Sequence, residues 1–150
     1  MFYRPRALMR GQIYNELGDV RRARTFYDAA RVQLEDSLSR NPKSARLRIA
    51  LGLAYAGLSR REQAIGEAHT AMALVPVTSN SLDGIAILGE AAEIFARAGD
   101  RDCTIALLDQ LLRMPAGREV SVPLLRADPT WDSLRRDTRF EALLQRFAPR

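Results

Sequence analysis

His69 and Cys103 are the two side chains best suited to nucleophilic or metal chemistry, and the sequence holds one of each residue type. A Ser–His–Asp or Cys–His nucleophile needs a histidine as its base, and His69 would have to serve. It stands between Ala68 and Thr70 in a helical stretch, which reads as an ordinary helix-surface position. Cys103 follows Asp100 and Asp102, and neighbouring carboxylates disfavour a thiolate, so it reads as structural. A structural zinc site needs about four Cys or His ligands, more than the chain contains. The sequence has no Gly-x-x-x-x-Gly-Lys loop to cradle phosphates. Glu90 and Glu93 are helical neighbours, which a solvated face explains. The expectation is therefore a protein that is not an enzyme, without cofactor or metal, whose chemistry is recognition.

The elements that would present a recognition face announce themselves by interval. In the stretch Ala45 to Pro76, Gly52 precedes Tyr55 by three residues and Tyr55 precedes Ala64 by nine. Small residues at 52 and 64 let two helices approach closely, and Tyr55 fills the wedge between them. Ser59-Arg60-Arg61-Glu62 has the form of a capping box and predicts the start of the second helix. Gly57 suits the end of the first helix. Pro76 cannot continue the second.

The same intervals recur on either side. Gly11, Tyr14 and Ala23 repeat them upstream, with Tyr27 and Ala30 further along the second helix. Gly18-Asp19 marks the turn, with Asp19 as N-cap. The closing proline, Pro42, comes late. This predicts a long second helix from Val20 to Arg40, with Val32, Leu34 and Leu38 partly buried on the extension. Downstream, Ala92, Phe95 and Thr104 hold the spacing, Leu108 and Leu111 take the places of Tyr27 and Ala30, and Gly99-Asp100 repeats the turn. Val77 to Asp83 reads as a linker or as the start of a longer helix, and Pro115 as the stop. The repeats are then residues 4–42, 45–76 and 81–115. Helix pairs of this kind cannot bury their apolar faces alone and must stack.

Residues 117–150 close the array. Gly117 to Val122 reads as a linker, and Pro123-Leu124-Leu125-Arg126 as a short turn. Asp128-Pro129 is a cap with proline at the first helical position. Asp137 caps a final helix from Thr138 to Phe147, with Phe140, Leu143, Leu144 and Phe147 on one side. Trp131 and Leu134 read as packing onto the third repeat.

Leu51-Gly52, an aromatic at 55, a small residue at 64 and a terminal proline together resemble the tetratricopeptide repeat pattern. Two signature positions depart from it, with Arg48 in place of the usual Trp and Ala68 in place of a large residue. The string LRADPTWDSLRRDTRFEALLQRF is similar to the tail of tetratricopeptide regions in bacterial multidomain regulators. There the effector is a winged-helix domain, a Ser/Thr kinase or a nucleotide cyclase. The resemblance implies an all-α fold, a right-handed α-solenoid of three helix pairs plus a C-terminal capping helix, in a single domain over 1–150. It also implies a concave groove lined by the first helix of each pair. That groove would comprise Leu8, Gln12, Asn15 and Glu16 from the first repeat. The second would add Arg46, Ile49, Leu53 and Ala56, and the third Ala86, Gly89, Glu93 and Arg97. The family's clamp for a C-terminal carboxylate needs Lys and Asn at groove positions that here carry Leu8, Gln12, Ala50, Ala86 and Glu90, so no clamp is expected. Leu8, Ile49 and Leu53 would form an apolar floor for an amphipathic helix or extended peptide.

Composition sets the remaining bounds. The 150 residues are 47% hydrophobic with few Gly or Pro, as in a globular helical protein. No apolar run approaches the ~20 residues of a membrane helix, and the N-terminus lacks a signal-peptide core. A cytoplasmic protein is expected. The net charge is +5, and all but Lys43 of the 23 basic residues are Arg. Those residues alternate with Asp and Glu, which argues against a nucleic-acid partner. The expected partner is a protein or peptide in the groove. The alternative is self-association through the exposed ends of the array.

Overall fold

Side-chain caps and left-handed turn residues cut the chain into short helices. The computed structural model describes residues 3–76, 82–114 and 120–148. Among these the regular structure is helical throughout, with no strand. In order come α1 (Arg6–Glu16), α2 (Val20–Arg40), α3 (Ala45–Gly57), α4 (Arg61–Leu74), α5 (Leu82–Ala98) and α6 (Arg101–Leu112). They are followed by α7 (Val122–Ala127), a 3-10 helix (Pro129–Leu134) and α8 (Thr138–Phe147). The stop expected at Pro115 and most of the expected linkers, from Val77 and from Gly117, lie outside the described residues.

Asp19, Asp100 and Asp137 each accept a backbone N–H at the start of α2, α6 and α8, which satisfies an otherwise orphan donor. Gly18 and Gly99 turn the chain at φ of 75° and 78°, a region where only glycine is unstrained. The expected capping box at Ser59 does not form. Ser59 itself takes the left-handed conformation at φ 60°, and Arg60 becomes an N-cap without a side-chain bond. Ser59 occupies the turn position that Gly18 and Gly99 hold in the other two pairs.

A Cβ on Gly57 would sit 2.5 Å from the Tyr27 ring, and one on Gly11 would sit 2.8 Å from it. Tyr27 of α2 is thus held between the backbones of α1 and α3, and it is buried. Gly52 meets α4, as its spacing suggests, and has a nearer neighbour as well. Ile94 Cδ1 of α5 lies 2.8 Å from the Cβ it lacks, with the Ala64 carbonyl at 3.4 Å.

The packing is sequential. α1 packs with α2, α3 with α4 and α5 with α6; α2 then meets α3, and α4 meets α5. α3 also touches both α5 and α1. Gly11, Ala23, Gly52, Ala64, Ala92 and Thr104, the small residues of the three intervals, are all buried. Val32 departs from expectation. It is exposed, while Leu34 on the same extension is buried and Leu38 half-buried.

Two apolar cores result. One runs from Leu8 through Tyr27, Ile49, Leu53 and Ala64 to Phe95. The other joins Leu88, Ala92 and Ala96 of α5 to Leu108, Leu125, Trp131, Leu134, Phe140 and Leu144. Trp131 is a core residue, packed with α5 and the C-terminal helices.

Candidate partner-binding face

α1, α3 and α5 lie side by side, and the twelve expected groove residues are distributed over them. Three are out of reach. Leu8, Ile49 and Leu53 are 0%, 1% and 2% exposed, so they form core and not a groove floor. The apolar stripe of each first helix is used up in packing its neighbours. Gln12, Ala56, Ala86, Gly89, Glu93 and Arg97 are half-buried, and Asn15, Glu16 and Arg46 are exposed.

What the surface offers instead is a charged strip. Arg4, just before α1, donates from Nη1 to Gln12 Oε1 at 3.1 Å and from Nη2 to Glu93 Oε2 at 3.0 Å. The same Nη2 reaches Glu90 Oε1 at 3.4 Å. Arg97 Nε donates to the other Glu93 oxygen at 2.9 Å. The strip therefore gathers Gln12, Glu93 and Arg97 of the expected set. It adds Arg4, which the spacing argument missed, and Glu90, which that argument set at a groove position only to exclude a carboxylate clamp; Glu90 is buried, contrary to its reading as a solvated residue. Arg4 precedes the repeating positions, so no interval pointed to it. The Tyr27 phenol lies within the electrostatic reach of this strip. Burial pushes its pKa up, and the nearby Arg97 opposes the shift.

Two cavities open beside Glu90. The larger, about 340 Å³, lies between the starts of α3 and α5 and is lined by Ser44, Arg46, Asp83, Ala86 and Ile87. Arg46 Nη2 donates to Asp83 Oδ1 across it at 3.0 Å. The smaller, about 170 Å³, runs from Arg4 and Gly89 to Asp128 and Trp131. Arg46, Ala86 and Gly89 thus line cavities. Asn15, Glu16 and Ala56 line neither.

Elsewhere the chemistry-bearing residues keep ordinary surroundings. His69 is exposed on α4 and packs its ring against Phe95 at 5.0 Å. Burial and then Asp100 push the Cys103 thiol up, which disfavours the thiolate. Among the described residues, no three His, Cys, Asp or Glu side chains are grouped as metal ligands would be. No described helix is long and apolar enough to cross a membrane. The chain matches no family model, and no curated protein or solved structure matches it significantly.

Proposed function

We propose that the chain is a tetratricopeptide-like solenoid of three helix pairs with a C-terminal cap, acting as a non-enzymatic scaffold that binds a peptide or helix. The sequential packing and the burial of the small residue at each matched interval support the solenoid. The observation that carries the binding reading is the cavity between α3 and α5, which shares Glu90 with the neighbouring Arg4–Glu93–Arg97 strip. With Leu8, Ile49 and Leu53 withdrawn into the core, the ligand is a segment that sets a small apolar side chain against Ala45, Val75, Ala86 and Ile87 and charged groups against Arg46 and Asp83. Many arginines are already spent on intramolecular ion pairs, Arg31, Arg48 and Arg139 among them, so the net charge does not favour nucleic acid. By its resemblance, the scaffold is the docking part of a cytoplasmic bacterial regulator.

Ala86→Arg tests this, because it fills the cavity from a half-buried helix position. Screened against an array of charged peptides, the unaltered chain should retain a subset that Ala86→Arg loses. An array with no retained peptide, or retention that survives the substitution, overturns the reading.

A further inference from the structure

The outer face of α1 and its C-cap carry Met9, Ile13 and Leu17, spaced four residues apart and 48%, 54% and 72% exposed. Exposed aliphatic residues are ordinary when scattered; a contiguous row marks a contact surface. The repeat register identifies what kind of contact. Aligning Gly11 with Gly52 places Met9 on Ala50, Ile13 on Ala54 and Leu17 on Leu58. Aligning Gly52 with Ala92 places the first two on Glu90 and Ile94. Ala50, Ala54, Glu90 and Ile94 are all buried. These positions are covered wherever another helix pair precedes them, and no described helix covers this side of α1.

The neighbouring interface displays the chemistry that complements such a face. α2 presents Glu35 to α3, and the Tyr55 hydroxyl donates to its carboxylate at 2.7 Å. Tyr14 is the register equivalent of Tyr55. Beside it a cavity of about 470 Å³ is lined by Arg10, Ile13, Tyr14, Leu17 and Phe26. Its rim is cationic. The Arg10 guanidinium sits over the Phe26 ring at 5.6 Å and that of Arg22 over Tyr14 at 5.5 Å. Neither Arg6 nor Arg10 takes part in an ion pair among the described residues, and Arg22 pairs with Asp19.

We propose that this face docks an amphipathic helix of a partner protein, one with an aliphatic row flanked by carboxylates. The aliphatic row would cover Met9, Ile13 and Leu17, and the carboxylates would meet Arg10, Arg22 and the Tyr14 hydroxyl. A second copy is the poorer occupant. Stacked head to tail it would need the outer side of α6, which α8 covers. Stacked head to head it would bring Arg6, Arg10 and Arg22 of both copies together, and like charges in an interface are costly. The proposal concerns a different face from the groove and does not depend on it.

The test uses two fluorescent helical peptides with the same leucine row, one flanked by Glu and its twin by Lys. The Glu peptide should bind at least about ten-fold tighter than the Lys twin, and Ile13→Glu should weaken it about ten-fold or more. Leu17→Ser, at the most exposed position of the row, gives a second reading should Ile13→Glu disturb folding. Leu124→Glu, on an exposed apolar residue of α7, and Ala86→Arg, in the groove, should leave binding unchanged. Equal binding of the two peptides, no binding, or indifference to both α1 variants overturns the proposal. So does a dimer in sedimentation that Ile13→Glu dissolves, since the occupant would then be a second copy.

Discussion

Gly57 and Gly66 are both helical glycines, yet their surroundings demand opposite outcomes on substitution. A methyl group at 57 would meet three atoms of the Tyr27 ring at 2.5 Å, and that ring is pinned on its other side by Gly11. An aromatic held between two backbones cannot give way as a flexible side-chain end can. Gly57 is the last residue of α3, so Gly57→Ala gains much less than the ~1 kcal/mol of a helix interior, while it overpacks the core at a cost of about 1–3 kcal/mol. Clash wins, and urea titration should place the variant about 1–2 kcal/mol below the parent. Nothing lies within 4 Å of the position a Cβ would take at Gly66, which is exposed in mid-α4. There propensity acts unopposed, and Gly66→Ala should gain roughly 0.5–1 kcal/mol. A Gly57→Ala protein as stable as the parent would mean that Tyr27 is not wedged as described.

Between elements, the α2–α3 seam is closed by a bond that pH can break. Burial and the Glu35 carboxylate push the Tyr55 phenol up to about 12 from 10.0. On the other side, burial pushes Glu35 up, but the Tyr55 hydroxyl and the Arg31 guanidinium outweigh it and hold the carboxylate below its ordinary value. A phenol with a raised folded-state pKa keeps its full contribution below pH 10 and loses it as pH climbs towards 12. Stability should therefore fall across that window, by up to roughly 2 kcal/mol for this residue. Tyr55→Phe should flatten most of the decline seen in denaturant titrations at stepped pH. Tyr27, also raised by burial, would supply the remainder. An unchanged alkaline slope in Tyr55→Phe would place the seam's pH response elsewhere. This seam also marks how far the sequence could be read. The extent of α2, Val20–Arg40, follows from the late proline and the apolar spacing, as does the role of Asp19. The left-handed Ser59 does not, because its Ser-x-x-Glu pattern reads as a capping box although the register sets it on Gly18 and Gly99. Val32 likewise followed the apolar rule but found no neighbour at its angle on the helix.

Across the whole molecule, the chain's ends meet its middle through contacts that no local spacing encodes. Arg4 bonds to Glu90, 86 residues away, and to Glu93, 89 away. A repeat interval reports which positions face each other within a helix pair; it cannot say which polar residues meet between the first helix and the fifth. The buried small residues were therefore legible, as was the placement of Gln12, Glu93 and Arg97 on one face; their pairing through Arg4 was not. The Arg4 guanidinium is partly exposed, at 29%, so its ion pairs fall between the weak surface class and the strong buried class. Arg4→Ala should cost about 1–2 kcal/mol, a lowering of roughly 2–8 °C in Tm by calorimetry. No change would reduce the strip to decoration. The helix that receives Arg4 has a second property. α5 gives Ile87, Ala91 and Phe95 to one core, and Leu88, Ala92 and Ala96 to the other. It is a party wall with two tenants: if the C-terminal half frays, the wall stays standing with one greasy side wet. On heating, the first species to open would accordingly be one that clumps, and scattering should rise before the last helix has melted.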